Sequence, residues 1–482
     1  MPNPSASGPT SDIKKSGTND IDALILGSVK WGTGYSPLNL TYSFPSYQSS
    51  WAKDYAFSSN ITNDGGFKKL SDAQQIAARK AILAWGEIAN LGLTEIYENS
   101  VLVGDIRVAF SNLPNGMLGI ANNPQTGPNG GDVWISNNFS ENSFSFGSFE
   151  YLILLHELGH ALGLKHPFSD NPVLPPSFNN HQFSIMSVTE SSNYSGYVFP
   201  QTPMIYDIQA IQYIYGANMN THTEDNIYSF LPSNLEAMTI WDAGGQDTLS
   251  ATNQNSNCLL DLREGKYSSI GLKENIGIAF GVTIENAIGS SKNDKIIGNK
   301  SNNFIDGGYG TDTVLYDVDA GLNKIGANWL VGEKNSVAGM DTLTNIERIG
   351  FKSRYLALDL DSNAGVTAKI LGAVFGKESV NNKNYVGIGL HFLDSGWSYD
   401  NLAGLALDAA GAKTNDQIVS LLWTNVIGLK PTSADKQPFI ALLENGMSAG
   451  ALAHLAADSS FNTTNINLVG LAQTGIEYIP VI

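Results

Sequence analysis

The chain has 482 residues, of which 42% are hydrophobic, so it is long enough for two to four domains with apolar cores. Its 27 Lys and Arg against 45 Asp and Glu give a formal net charge of −18, which argues against binding to nucleic acid or to anionic lipid. The single cysteine, Cys258, excludes intramolecular disulfides and a cysteine-based zinc site.

The N-terminal residues 1–35 are rich in Ser, Pro, Gly and Asn, which predicts a flexible segment. They lack the apolar core of a cleavable secretory signal, and no apolar stretch is long enough to predict a membrane span. The protein is therefore expected either to stay in the cytoplasm or to leave the cell without an N-terminal signal.

Residues 36–220 show the periodicities of an α+β domain. The predicted elements are a strand at 40–44, a helix from the capping box at Ser71 to before Gly92, half-buried strands at 106–110 and 133–135 around a loop at 114–131, and helices from Ser148 into His156 and over 205–215.

Residues 156–166 read His-Glu-Leu-Gly-His-Ala-Leu-Gly-Leu-Lys-His. His156 and His160 lie one helical turn apart, so both can bind one metal, and Glu157 can reach a water on that metal. The glycine three residues after His160 lets the chain reverse, which brings in His166 as the third ligand. Three protein ligands leave a position for water, as in a catalytic zinc site. The alternative is an amphipathic helix with incidental histidines.

This extended motif resembles that of the metzincin zinc proteases, and Pro167 after the third histidine is similar to the serralysin branch. The segment Ser184-Ile-Met186-Ser is similar to the methionine turn beneath the metal of that superfamily. The resemblance covers about residues 35–320 and continues through 207–218, 241–248 and 281–289. It implies a metzincin catalytic domain that hydrolyses peptide bonds with a zinc-activated water and with Glu157 as general base.

One position departs from the serralysins, which usually carry a tyrosine two residues after the turn methionine. That tyrosine can bind the resting metal and then the tetrahedral intermediate, whereas Val188 can do neither. Tyr194 and Tyr197 follow closely and are candidate oxyanion donors; the alternative is that both are ordinary loop tyrosines. We therefore predict one zinc ion with three histidines and a water.

Gly, Asn and Asp become more frequent after residue 220, and nine-residue units begin at Gly289, Gly298 and Gly307. A period of nine fits a calcium-binding β-roll, so residues 221–350 are predicted to form a degenerate repeats-in-toxin β-roll or parallel β-solenoid. The candidate calcium ligands form two sets. One set is Asp294, Gly307, Gly310 and Asp312, and the other is Asp242, Gly245, Asp247 and Asn226. We expect one or more structural ions. The alternative is a solenoid that has lost most of its calcium.

Residues 351–482 have Ala and Leu at helical spacing, which predicts a small, mostly helical C-terminal domain. The end, Glu477-Tyr-Ile-Pro-Val-Ile482, resembles the tail of type I secretion substrates. The resemblance implies a secreted, extracellular monomer that acts on proteins or peptides. It also implies two partners, the type I secretion machinery and a periplasmic protein inhibitor.

A second reading comes from another class: an adhesion or matrix-binding exoprotein with a weakened or inactive protease fold. Decayed proteases commonly lose the base or a metal ligand, whereas Glu157 and the three histidines are all present. The sequence therefore favours the enzyme. An amidase or deacetylase with three-ligand zinc lacks support from the methionine turn and the roll.

Overall fold

The structure is a computed structural model that describes residues 8–25, 27–34, 37–52, 55, 66–140, 144–194, 196, 198–332 and 339–481, without the side chain of Asn115. It divides into two compact units, Met1–Leu249 with Asp261–Ile284, and Ser250–Leu260 with Glu285–Ile482. Strands before residue 285 thus group largely with unit 1, whereas the sequence places the border of the roll near residue 220.

Unit 1 contains helices α1 (Asn19–Ile25), α2 (Asp72–Ile88), α3 (Phe149–Ala161) and α4 (Ile205–Tyr215). Its strands are β1 (Thr10–Asp12), β2 (Val29–Trp31), β3 (Leu38–Ser43), β4 (Leu91–Glu95), β5 (Ile106–Ser111), β6 (Gly119–Ala121), β7 (Val133–Ser136), β8 (Ile227–Ser229), β9 (Met238–Ile240), β12 (Tyr267–Ser268) and β13 (Ile276–Ile278). Strands β10 (Thr248–Ser250) and β11 (Leu259–Asp261) lie at the borders of the two units.

The main sheet among the described residues of unit 1 has the order β4-β3-β5-β7-β6. All pairs are parallel except β6 with β7, so β6 is an antiparallel edge strand. The alternating pattern of strand β5 predicts that it is half-buried. It is buried at every position instead, because this central strand is covered on both faces. The indole of Trp85 in α2 donates to the carbonyl of Leu155 in α3 at 3.2 Å, which joins the two long helices.

The predicted starts of the two long helices are confirmed. Ser71 and Gln74 form a capping box, and the hydroxyl of Ser148 accepts from the amide of Tyr151 at 3.1 Å. The predicted helix at 205–215 is also confirmed and is followed by Gly216.

The prediction of a flexible N-terminal segment is wrong for residues 8–25 and 27–34, which form β1, α1 and β2. Leu24, Ile25 and Trp31 are fully buried, so a few apolar side chains outweigh the polar composition. The indole of Trp31 donates to the carbonyl of Ala161 at 2.8 Å. This segment therefore packs on the C-terminal end of α3.

The roll in unit 2 is built from strands β14 (Asn286–Ile288), β15 (Lys295–Ile297), β16 (Phe304–Asp306), β17 (Thr313–Leu315), β18 (Leu322–Ile325), β19 (Asn328–Val331), β20 (Asp341–Thr344), β21 (Arg348–Gly350) and β22 (Tyr355–Ala357). Parallel pairing joins β14 to β16 to β20 in one row, and β15 to β17 to β21 in another. One apolar residue of each strand in these two rows is fully buried, as Ile296, Val314 and Ile349 are.

The rest of unit 2 is helical, as predicted. Its helices are α5 (Asn363–Phe375), α6 (Lys383–Asp394), α7 (Tyr399–Ala409), α8 (Asn415–Ile427), α9 (Ser433–Glu444), α10 (Ala449–Ala457), α11 (Ser460–Asn465) and α12 (Leu468–Thr474). A final strand, β23 (Ile476–Tyr478), pairs antiparallel with β22. No helix among the described residues is both long and apolar enough to span a bilayer.

Candidate active site

Helix α3 carries the first two histidines of the motif and ends just before the third. Gly163 takes a φ of +104°, which a side chain rarely adopts, and the amide of Leu164 donates back to the carbonyl of Gly159 at 2.9 Å. This turn reverses the chain and places His166 opposite His156 and His160, as the glycine in the motif predicts.

The three histidines converge on one point. The Nε2 atom of His166 lies 3.1 Å from the Nε2 atom of His156 and 3.1 Å from that of His160. Nitrogens bound to a tetrahedral zinc ion at about 2.0–2.1 Å lie about 3.3 Å from each other. The spacing therefore fits one zinc ion held by the three rings.

Backbone carbonyls orient two of these rings. The Nδ1 of His156 donates to the carbonyl of Ile185 at 2.7 Å, and the Nδ1 of His160 donates to that of Leu164 at 2.8 Å. Because Nδ1 carries the proton, each Nε2 presents its lone pair. Burial lowers the pKa of His156 to about 3 and that of His160 to about 4, so both rings are neutral near pH 7.

Glu157 lies beside the histidines but is not part of their cluster. Its side chain is 7% exposed, and burial raises the pKa of its carboxyl to about 8. It packs against Gly119 of the edge strand β6: a methyl group at position 119 would come within 2.5 Å of Oε1 of Glu157. The carboxyl therefore lies between the metal-binding helix and the edge strand, a contact that the sequence does not predict.

A cleft of about 720 Å³ runs over these residues. Strand β6 forms one wall with Gly119 and Ile120, and apolar residues of α3 such as Leu152 and Ile153 form another. Its lining also includes His181, which lies outside the three-histidine motif.

The segment around Met186 forms a turn beneath the metal-binding helix. Asp207 accepts hydrogen bonds from Ser184 Oγ at 2.6 Å and from the amide of Ile185 at 2.7 Å. The Ile185 carbonyl in turn accepts from His156. Asp207 is completely buried, and burial raises its pKa to about 6. This role of Asp207 was not predicted, although an acidic residue in the first turn of a helix such as α4 is typical of a capping carboxylate.

Val188, which stands where serralysins usually carry a tyrosine, lines the cleft and is 65% exposed. Tyr194 is 6% exposed and is not among the residues that line the cleft. Tyr197 lies outside the described residues. The structure therefore does not place the phenol of Tyr194 at the metal.

The first candidate calcium site brings together oxygens from two loops of unit 1. The amide of Asn226 donates to Oδ1 of Asp247 at 2.8 Å. The side-chain amide nitrogen of Asn226 donates to the carbonyl of Glu224 at 3.0 Å and to Oδ2 of Asp242 at 3.2 Å. Gly245 packs so closely that a methyl group there would come within 2.4 Å of the Glu224 carbonyl. This site has the oxygen donors that calcium prefers.

The second candidate site lies where the first and third nine-residue units stack. Oδ1 of Asp312 accepts from the amide of Asp294 at 2.7 Å, and Oδ2 of Asp312 is buried without a hydrogen-bond partner among the described residues. Methyl groups at Gly308 and Gly310 would lie 2.3 and 2.5 Å from the carbonyls of Ser290 and Lys292. A buried carboxylate oxygen without a hydrogen-bond partner fits the position of a ligand to a cation.

Carboxylates that accept hydrogen bonds from backbone amides of other turns also occur beyond the predicted repeats. Asp341 accepts from the amide of Asn303 at 2.9 Å, and Glu347 accepts from the amide of Asp312 at 2.8 Å. Neither residue was predicted from the sequence. Asp341 could have been recognised because it is followed by Thr and an apolar residue, as Asp247 and Asp312 also are.

Comparisons with known proteins agree with this geometry. Residues 206–381 match the family model for the peptidase M10 serralysin C terminal. The chain is 38% identical over 267 residues to serralysin A of Dickeya chrysanthemi, a match that covers 50% of this chain and 56% of the relative. It is 32% identical over 308 residues to serralysin of Proteus mirabilis, covering 56% and 61%. With metallopeptidase AprA of Pseudomonas marginalis it shares 33% over 309 residues, covering 56% and 62%.

The chain thus spans little more than half the length of the curated relatives that it matches. The resemblance to serralysins that the three-histidine motif predicts is confirmed by these matches: the chain is similar to serralysins over 50–56% of its length.

Proposed function

We propose that this protein is a secreted, zinc-dependent endopeptidase. The observation that supports the proposal best is the convergence of His156, His160 and His166 next to the buried carboxyl of Glu157 in an open cleft. Bound zinc supplies a Lewis acid that polarises the scissile carbonyl and makes water a strong nucleophile near neutral pH.

The residues of the chain supply the remaining steps. Glu157 accepts the proton of the attacking water and passes it to the leaving amine nitrogen. Strand β6, at the edge of the sheet, offers backbone donors and acceptors with which an extended substrate pairs.

We also propose that calcium binds at the two oxygen-rich sites and stabilises the roll. The ions would lie between Asp242, Asn226 and Asp247 in unit 1, and beside Asp294 and Asp312 in unit 2. Support comes from the buried oxygen of Asp312, which has no hydrogen-bond partner among the described residues, and from glycines that pack directly on backbone carbonyls of the neighbouring turns. Coordination of this kind is typical of calcium in proteins.

Export forms part of the same proposal. The protein would leave the cell through the type I secretion machinery, fold outside where calcium is available, and act as a monomer on proteins or peptides. A periplasmic inhibitor would then protect the producing cell. The similarity to serralysins over about half of the chain supports this route.

The test is cleavage of unfolded casein by the purified protein, with the fragment ends sequenced. We expect internal cuts that a zinc chelator abolishes and added zinc restores. Glu157→Ala should retain one zinc per chain and lose nearly all activity. A Glu157→Ala variant that cleaves at the wild-type rate would remove Glu157 as the base, and a wild-type protein that never cuts would favour the adhesion reading.

A further inference from the structure

The third metal ligand has an aromatic neighbour that the metal-binding motif does not include. The ring of Phe168 lies parallel to the imidazole of His166, with an interplanar angle of 10° and 4.9 Å between the ring centroids. Phe168 follows directly after Pro167 in a short turn. The amide of Ser169 donates to the carbonyl of His166 at 3.2 Å, and that of Leu174 donates to Pro167 at 2.9 Å. The turn therefore holds the ring in place.

His166 differs from the other two ligands in what orients it. His156 and His160 each donate from Nδ1 to a backbone carbonyl, at 2.7 and 2.8 Å. Within the described part of the chain, Nδ1 of His166 has no such acceptor. A metal-bound histidine usually needs an outer partner that fixes the rotation of its ring. His166 instead contacts the flat face of Phe168, which lies over the face of its imidazole.

We propose that Phe168 is a positioning residue that holds the imidazole of His166 in the plane required for metal binding. The parallel ring restricts rotation about the Cβ–Cγ bond, because turning the imidazole would drive its edge into the phenyl face. It also covers one face of the imidazole. The phenyl ring itself is 40% exposed, so it can be replaced without opening a core cavity. This inference rests on the proposed zinc site.

The test measures zinc affinity rather than proteolysis. Apoprotein of the full chain competes with a chromogenic chelator for zinc, and cobalt-substituted protein gives an absorption spectrum that reports the ligand geometry. We expect Phe168→Ala to weaken zinc binding by about 10- to 100-fold, the range for losing an outer partner of a ligand. Phe168→Tyr keeps the ring and should bind zinc as the wild type does. Phe168→Leu keeps apolar bulk without a flat face and should resemble Phe168→Ala.

The matched control is Phe178→Ala. Phe178 is 37% exposed and packs edge-on against Phe183 and Tyr206 rather than against a metal ligand. We expect its zinc affinity to be unchanged, and thermal melts of the apoproteins check that every variant folds.

Two outcomes would overturn the role of Phe168: equal zinc affinity for Phe168→Ala and wild type, or full rescue by Phe168→Leu. A wild-type protein that binds zinc tightly but cuts no substrate would leave the stacking proposal standing while the proposed function fails. A wild-type protein that binds no zinc would contradict both the stacking proposal and the proposed function.

Discussion

The sulphur of Met186 lies against the backbone of Gly159 in helix α3, and a methyl group at position 159 would come within 2.5 Å of it. The residue before Met186, Ile185, supplies the carbonyl that orients His156. A single close approach of turn and helix thus fixes how a metal ligand is held.

Gly159→Ala should therefore destabilise the protein by about 1–3 kcal/mol, the usual cost of overpacking, and should also weaken zinc binding. The added methyl must push Met186 and its turn away from the helix. Thermal melts and zinc titrations check this. A double-mutant cycle with Met186→Ala gives the control: the double variant should lose less stability than the two single losses added together. Strict additivity would mean that the two positions do not contact each other.

Gly119→Ala should impair catalysis while leaving zinc bound. The new methyl would lie 2.5 Å from Oε1 and 2.6 Å from Cγ of Glu157, so the whole carboxyl must move. A displacement of about 1 Å at a reacting group can reduce the rate about 100-fold. The measurements are kcat and the zinc content. Gly404→Ala, which meets nothing closer than 3.9 Å, is the control and should retain wild-type activity. Normal kcat for Gly119→Ala would contradict the packing of Glu157 against β6.

Calcium should stabilise the protein more at high pH than at low pH. Burial raises the pKa of Asp312 from 3.8 to about 8, and the neighbouring Glu347 and Asp294 add to the shift. Between these values the unfolded chain binds fewer protons than the folded one, so without calcium the free energy of unfolding falls as the pH rises. Bound calcium favours the carboxylate and removes this loss.

The measurement is the difference in melting temperature between excess calcium and a calcium chelator, at about pH 5 and about pH 8, the two ends of the titration window. We expect a larger difference at the higher pH. Asp312→Asn, which stays neutral, should lose most of this pH dependence, and Asn303→Ala should cost less stability than Asp312→Ala. Equal calcium effects at both pH values would exclude Asp312 as a ligand.

Val188→Tyr should raise kcat. Val188 is 65% exposed in the cleft, so a larger ring has room, and Tyr194 does not line the cleft. Loss of a hydrogen-bond donor to the oxyanion typically lowers the rate by about 10²–10³. A phenol at this position would restore such a donor and should therefore raise the rate. Val188→Phe is the control because it adds the ring without the hydroxyl. An unchanged or lower kcat for Val188→Tyr would indicate that another group already stabilises the oxyanion.

The features that the sequence predicts well are local. The spacing of His156 and His160, the serine caps at Ser71 and Ser148 and the reversal at Gly163 depend on residues within one or two turns of each other. Short-range geometry of this kind can be derived from the order of residue types alone.

The missed features depend on partners that are distant in sequence. Gly119 meets Glu157, and Asp207 meets Ser184 and Ile185, only after the sheet and helices have packed. In the roll, the hairpin of β18 and β19 interrupts the nine-residue period, which hides Asp341 from a search for repeats.

The docking of the N-terminal segment on α3 can be followed at one backbone amide beside the proposed metal site. The amide of Lys165, the residue before the third ligand, donates to the carbonyl of Leu24 at 2.7 Å. Hydrogen exchange at that amide therefore measures how often the beginning of the chain detaches from the end of the helix. Because Trp31 bonds to Ala161 across 130 residues of sequence, shortening or tagging the N-terminus would alter the exchange rate beside His166 before any ligand is touched.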